Sequence, residues 1–260
     1  MFFVFEDLKL RSLSALILIS LLFLLTIITP FLLTPLLFLF NILLIIETFS
    51  LYRFKKESFF FHIFLVGISA FPAYFAQTDL SITLLLNIFL YFFILYLSRS
   101  IGLSFLIVYV NLSISFLLSL ITSQTEVGGI SFFIVLVLAV ALTDIGGYFG
   151  GRIIGGPKVL EKVSPSKTWA GIFVGWLMVI IFYYVLQLLN SFESDLFVFV
   201  FLGIALSSQL GDFIESYFKR SLGVKDTGNI IPGHGGLLDR FDGLICASVF
   251  VKIIDFYLKA

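Results

Sequence analysis

Between Leu210 and Gly243 the chain sets five acids, Asp212, Glu215, Asp226, Asp239 and Asp242, among four bases, Lys219, Arg220, Lys225 and Arg240. On a helix, Asp212, Ser216 and Lys219 or Arg220 follow at i+3/i+4 spacing and share one face, and Asp239 and Asp242, three apart, do the same. Carboxylates in this number suit Mg2+, which takes one or two of them and fills its shell with phosphate oxygens and water. The bases are the complementary phosphate binders. Pro232-Gly233-His234-Gly235-Gly236 is a turn whose backbone N–H groups can approach an anion with little Cβ in the way. Acids for a metal, bases for phosphate and a Gly-rich turn point to phosphoryl or nucleotidyl transfer.

A second group lies upstream. Asp144 is followed by Gly146, Gly147, Tyr148, Gly150 and Gly151, and Ser164-Pro165-Ser166-Lys167-Thr168 then leads into an apolar run. Ser164, Ser166 and Thr168 beside Lys167 form a phosphate-gripping approach to a helix N-terminus, whose dipole also favours an anion. Each feature has a plainer reading. Asp144 and Asp212 can be polar residues at a membrane boundary, and Lys219, Arg220 and Lys225 can be interfacial anchors. Glu215 can pair with Lys219 at i+4. Gly147, Gly151 and Gly155, like Gly171 and Gly175, are spaced for close helix packing. His234 shapes its turn or hydrogen-bonds a phosphate.

The elements that must position these residues follow from composition. Of 260 residues, 60% are hydrophobic and 12% charged, against about a quarter charged in soluble domains, so most of the surface must face lipid. Runs of roughly 20 apolar residues recur at about 12–30, 32–50, 58–76, 82–98, 101–121, 130–150, 169–189, 196–214 and 240–258. The expected fold is an all-α integral membrane protein, a polytopic bundle of about nine transmembrane helices. It divides into residues 1–125, N-terminal helices without nameable chemistry, and a catalytic membrane region at 126–260 with two loops. With nine spans, Lys9, Arg11, Arg53, Lys55, Lys56, Arg99, Arg152, Lys158, Lys162, Lys167, Lys219, Arg220 and Lys225 all fall on one side. That side is then cytoplasmic, with the N-terminus and both long loops. Lys9 and Arg11 precede an apolar run with no small-x-small cleavage site, so it reads as a retained first span. Formal net charge is zero, which predicts no nucleic-acid partner. The lone cysteine, Cys246, excludes an intrachain disulfide, and the two histidines, His62 and His234, are too far apart in sequence to suggest a His-rich metal site.

Ser216-Tyr217-Phe218-Lys219-Arg220, Lys225-Asp226, Pro232-Gly233-His234-Gly235-Gly236 and Asp239-Arg240-Phe241-Asp242 together resemble the signature of the phosphatidate cytidylyltransferases, the CDP-diacylglycerol synthases. Ser164-Pro165-Ser166-Lys167-Thr168 is similar to that family's pattern as well, although Trp169-Ala170-Gly171 follows where the family often carries an acid. The resemblance is dense from Asp144 to Gly243, and before residue 130 it amounts to hydrophobicity.

It implies Mg2+-dependent transfer of CMP from CTP to phosphatidate, with a second metal or a monovalent cation and a homodimer left open; the modest size of the chain separately points to a bacterial plasma membrane. By this resemblance Asp212, Asp239, Asp242 and Ser216 hold the metal. Lys219 and Arg220 join the three aspartates as catalytic residues. Ser164, Ser166, Lys167, Thr168, Ser216, Lys225, Asp226, His234, Gly235, Gly236 and Arg240 bind substrate, and Asp144 and Glu215 stand close by. A CTP-dependent polyprenol kinase would use similar parts. An ion-coupled transporter would need acids near the midplane of the membrane, whereas these charges gather at one face.

Overall fold

The computed structural model describes residues 30–52, 59–75, 80–121, 129–189, 194–228 and 235–259. Among these the chain forms eight helices: α1 (Pro30–Leu51), α2 (Phe59–Phe75), α3 (Leu80–Ser98), α4 (Ile101–Ile121), α5 (Gly129–Ile153), α6 (Trp169–Leu188), α7 (Phe197–Ser221) and α8 (Leu238–Lys259). Between α5 and α6 lie two short strands, β1 (Lys158–Leu160) and β2 (Ser164–Thr168), paired antiparallel. Among the described residues six helices are long and apolar enough to cross a membrane: α1, α3, α4, α5, α6 and α7. The protein is a polytopic membrane protein.

Six of the nine expected spans correspond to these helices. The first, at 12–30, falls almost entirely outside the described residues. The third is α2, a mostly apolar helix of 17 residues, at the lower end of what a bilayer requires. The ninth is a full helix, α8, but it carries Asp239, Arg240, Asp242, Lys252, Asp255 and Lys259. That charge sets it apart from the six apolar helices. Lys252 and Asp255 are both buried and pair at 3.0 Å, as burial of such groups demands.

The chain divides into two compact units, Met1–Thr122 with Lys225–Arg240, and Ser123–Val224 with Phe241–Ala260. In the first, α4 is the central helix. Leu103, Ile107, Val110, Ile114 and Leu117, at helical spacing, are all buried. Leu103 and Ile107 join a core of Ile45, Phe49, Leu65, Ala70, Leu90 and Ile94. On α3, Leu85, Phe89, Phe92 and Tyr96 make an exposed stripe, 63–82% accessible at Phe92 and Tyr96. A helix apolar on both its faces is what lipid on one side and protein on the other selects. Three buried amides cross this unit: Asn41 Nδ2 donates to Asn111 Oδ1 (2.9 Å), and Asn111 Nδ2 donates to Asn87 Oδ1 (2.8 Å). They tie α1, α4 and α3 together by interhelical hydrogen bonds where apolar packing alone gains little over lipid.

In the second unit α5 and α6 meet through glycines. A Cβ on Gly146 would lie 2.8 Å from Gly175 Cα, and one on Gly150 would lie 2.6 Å from Val174 Cβ. Gly171 likewise abuts the Gly147 carbonyl, so the packing role expected of Gly171 and Gly175 is met. Gly155 does something else: with Gly156 it turns the chain after α5 at φ +69° and +99°. Helix α7 is clamped onto α6 by buried Gln209, which accepts from Trp176 Nε1 at 2.8 Å and donates to the Ile172 carbonyl at 3.3 Å. Asp212 follows one turn later.

Candidate active site

In the second unit the charged residues assemble around Lys167. β1 and β2 pair in the register Lys158↔Thr168 and Leu160↔Ser164, and the strand runs directly into α6. Thr168 is the N-cap: its Oγ1 accepts from Gly171 N at 3.1 Å. The ribbon thus delivers Lys167 rigidly beside a helix start. Its ammonium forms an ion pair with Asp212 of α7 and stands over the Phe213 ring at 5.1 Å. Burial pushes the Lys167 pKa below its ordinary value, and Asp242, Asp144 and Glu215 oppose that by favouring the charged form, while Lys219 adds to the depression. Four acids on three helices therefore act on one lysine.

The geometry of α7 and α8 explains why Asp212 and Asp242 both reach this place. A Cβ on Gly211 would collide with the Asp242 carbonyl oxygen, and one on Gly243 would lie 2.5 Å from Ser208 Oγ. The two helices approach as closely as backbone allows, with each aspartate beside the glycine that makes the contact. Asp242 Oδ1 accepts from Gly243 N at 2.8 Å, which fixes its rotamer.

One turn further along α7, Lys219 pairs with Glu215 at 2.6 Å, so the i+4 salt-bridge reading of Glu215 holds. Glu215 is buried, and Ser216 beside it is half-buried. Helix α7 ends in a Schellman turn: Val224 N donates to Lys219 O at 3.0 Å and Gly223 N to Arg220 O at 3.1 Å, with Gly223 at φ +67°. Arg220 is exposed and reaches the Val224 carbonyl at 3.4 Å, so it caps this turn. Of the hydroxyls in β2, Ser164 is buried and Ser166 exposed, while that of Thr168 is engaged in the cap.

The first unit holds Lys225, Asp226, Gly235, Gly236, Asp239 and Arg240. Lys225, Asp226 and Arg240 are exposed. Asp239 Oδ2 accepts from Gly236 N at 2.8 Å and Thr227 N at 2.9 Å, and lies 3.0 Å from Thr227 Oγ1. Gly235 adopts φ +87°, and a Cβ there would lie 2.8 Å from Asp239 Oδ2, so the turn is glycine's both by dihedral and by space. His234 lies outside the described residues.

One acid in this unit was not foreseen from sequence. Glu47 of α1 is 2% exposed. Thr227 Oγ1 donates to its Oε1, as does Leu238 N at 3.1 Å, and Leu237 N donates to its Oε2 at 2.7 Å. The first N–H groups of α8, which no intrahelical carbonyl can satisfy, thus end on a carboxylate from another helix. The signal was available: Glu47 is the single ionisable residue in the run 12–50, and an acid within a span is a site candidate by default.

Comparison with known proteins adds three findings. The profile of the cytidylyltransferase family matches residues 9–258. A phosphatidate cytidylyltransferase of Staphylococcus epidermidis is 40% identical over 133 residues, 50% of this chain and 51% of that protein. Proteins of the same name from Rickettsia bellii (41% over 120 residues, 43% and 52%) and Brucella suis (39% over 126 residues, 48% and 47%) are similar to the same degree. The chain spans about half the length of the curated relatives it matches.

Proposed function

The chain belongs to the cytidylyltransferase family, and from that premise we propose that it transfers a cytidylyl group from CTP to phosphatidate, releasing pyrophosphate and forming CDP-diacylglycerol. The observation that carries this reading is Lys167, held by a strand-to-helix cap among Asp212, Asp144, Asp242 and Glu215. A cation so placed is ready to exchange a carboxylate partner for a phosphate oxygen.

In this reaction a phosphate oxygen of the lipid attacks the α-phosphorus of CTP in line. The bond from that phosphorus to the bridging oxygen breaks, and its electron pair leaves with pyrophosphate. A phosphomonoester has its second pKa near 6, so the nucleophile is largely dianionic at neutral pH and needs no strong base. The protein's tasks are alignment and neutralisation of charge. Lys167 and Lys219, both partly sheltered from water, bind phosphate oxygens, and exposed Arg220, Lys225 and Arg240 draw in the triphosphate or the lipid headgroup. Ser164, Ser166, Thr168, Asp226, His234, Gly235 and Gly236 shape the substrate contacts around them.

Mg2+ fits the donors present. Among the described residues no three His, Cys, Asp or Glu side chains converge closely enough to enclose an ion by themselves. Mg2+ needs only one or two carboxylates when phosphate oxygens and water complete its octahedron. Asp212, Asp242, Asp239 and Ser216 are the residues proposed to hold it, and when bound it withdraws charge from the phosphates. The charged face is proposed to be cytoplasmic, where CTP is found, on the positive-inside argument.

The identity of the leaving group tests the reading. Purified protein given CTP, phosphatidate and Mg2+ is expected to release pyrophosphate and CDP-lipid in equal amounts. CDP together with a newly phosphorylated lipid would instead establish a CTP-dependent lipid kinase.

A further inference from the structure

We propose that Glu47 is a positioning residue for the transfer reaction, setting the carboxylate of Asp239 through Thr227 and the first turn of α8; this rests on the cytidylyltransferase reading above. A carboxylate within a membrane span is costly to insert, less so towards the interface. Glu47 lies four residues from the end of α1 and is buried, so the fold retains it against a real penalty. Among the described residues its hydrogen-bond donors lie in the segment that carries Asp239. Oε1 takes the Thr227 hydroxyl and Leu238 N, and Oε2 takes Leu237 N.

The link to Asp239 is direct. The same Thr227 whose hydroxyl donates to Glu47 donates its backbone N–H to Asp239 Oδ2 at 2.9 Å, with its Oγ1 3.0 Å from that oxygen, and Gly236 N donates to it at 2.8 Å. Gly236 is also the residue against which Glu47 presses: a Cβ there would overlap both Glu47 Oε1 and Thr227 Oγ1. One oxygen of Asp239 is therefore held by the backbone N–H groups of Thr227, whose hydroxyl Glu47 binds, and of Gly236, whose next residue donates its N–H to Glu47. Misplacing a reacting group by about 1 Å can cost on the order of 100-fold in rate, so such a clamp acts on turnover more than on binding.

The test uses the full-length chain in detergent with phosphatidate, Mg2+ and CTP. Variants are Glu47→Gln, Thr227→Val and Thr227→Ser, with rates normalised to folded, monodisperse protein. Glu47→Gln and Thr227→Val are each expected to lower kcat by about tenfold or more, with KM for CTP changed less than about threefold. Thr227→Ser, which keeps the hydroxyl, is expected to restore the wild-type kcat. A structural role would reduce the yield of folded protein without separating Val from Ser at position 227. Should Glu47→Gln fail to insert, the Val and Ser pair decides alone. Wild-type kcat in Glu47→Gln or Thr227→Val, or equal loss in Val and Ser, overturns the proposal. Absence of CDP-lipid from the wild-type protein in the same assay overturns the cytidylyltransferase reading itself, and this proposal with it.

Discussion

Lys167 and Thr168 are neighbours with different work. Lys167 pairs with Asp212 and feels the charges of Asp242, Asp144 and Glu215, whereas Thr168 spends its hydroxyl on the first turn of α6. Thr168→Ala is therefore expected to lower stability by about 1 kcal/mol, the usual worth of a lost N-cap, and Thr168→Ser to leave it unchanged. Thermal unfolding in detergent checks both, and an unaltered Ala variant would show that the cap contributes nothing. The residues around Lys167 could be named from sequence because they fall in short motifs. Glu47 could not be assigned partners in that way. Its hydrogen-bond donors stand 180 to 191 positions away, and no local pattern reports a contact so distant.

At the scale of elements, composition revealed the apolar helices because a lipid-facing helix must be apolar along its length. It did not reveal the β1–β2 ribbon, whose three and five residues are too few for a period-2 pattern. Pro165 within β2 also argues against a strand, and the ribbon admits it through a register shift between Lys158 and Leu160. Helix α8 was legible as a helix, but its charges set it apart from the other spans. The close approach of α7 and α8 at Gly211 carries a prediction. Gly211→Ala puts a methyl group into the Asp242 carbonyl, which must separate the helices at a cost of about 1–3 kcal/mol, and turnover should fall with stability. Gly67→Ala in α2, where a Cβ meets nothing within 4 Å, is the matched control. It should gain slightly from helix propensity. Equal behaviour of the two variants in unfolding and turnover assays would remove Gly211 from the account.

At the scale of the molecule, the chain leaves its first unit near Thr122 and returns to it for Lys225–Arg240 before closing the second with Phe241–Ala260. That return is not legible in sequence, since helix periodicity carries no information about which helices pack together. The proposed orientation can be read from the ribbon. In a Cys246→Ser background, Glu161→Cys should react with a membrane-impermeant maleimide in inverted membrane vesicles and not in intact cells. The opposite pattern would place the charged face outside.

The most direct measurement of the central claim follows the α-phosphate of CTP. With label at that position, phosphatidate and Mg2+, the wild-type protein is expected to carry label into the lipid phase. Folded Asp212→Asn should leave the label in water. Label that stays aqueous with the wild-type protein, or that reaches lipid undiminished with Asp212→Asn, would contradict the account.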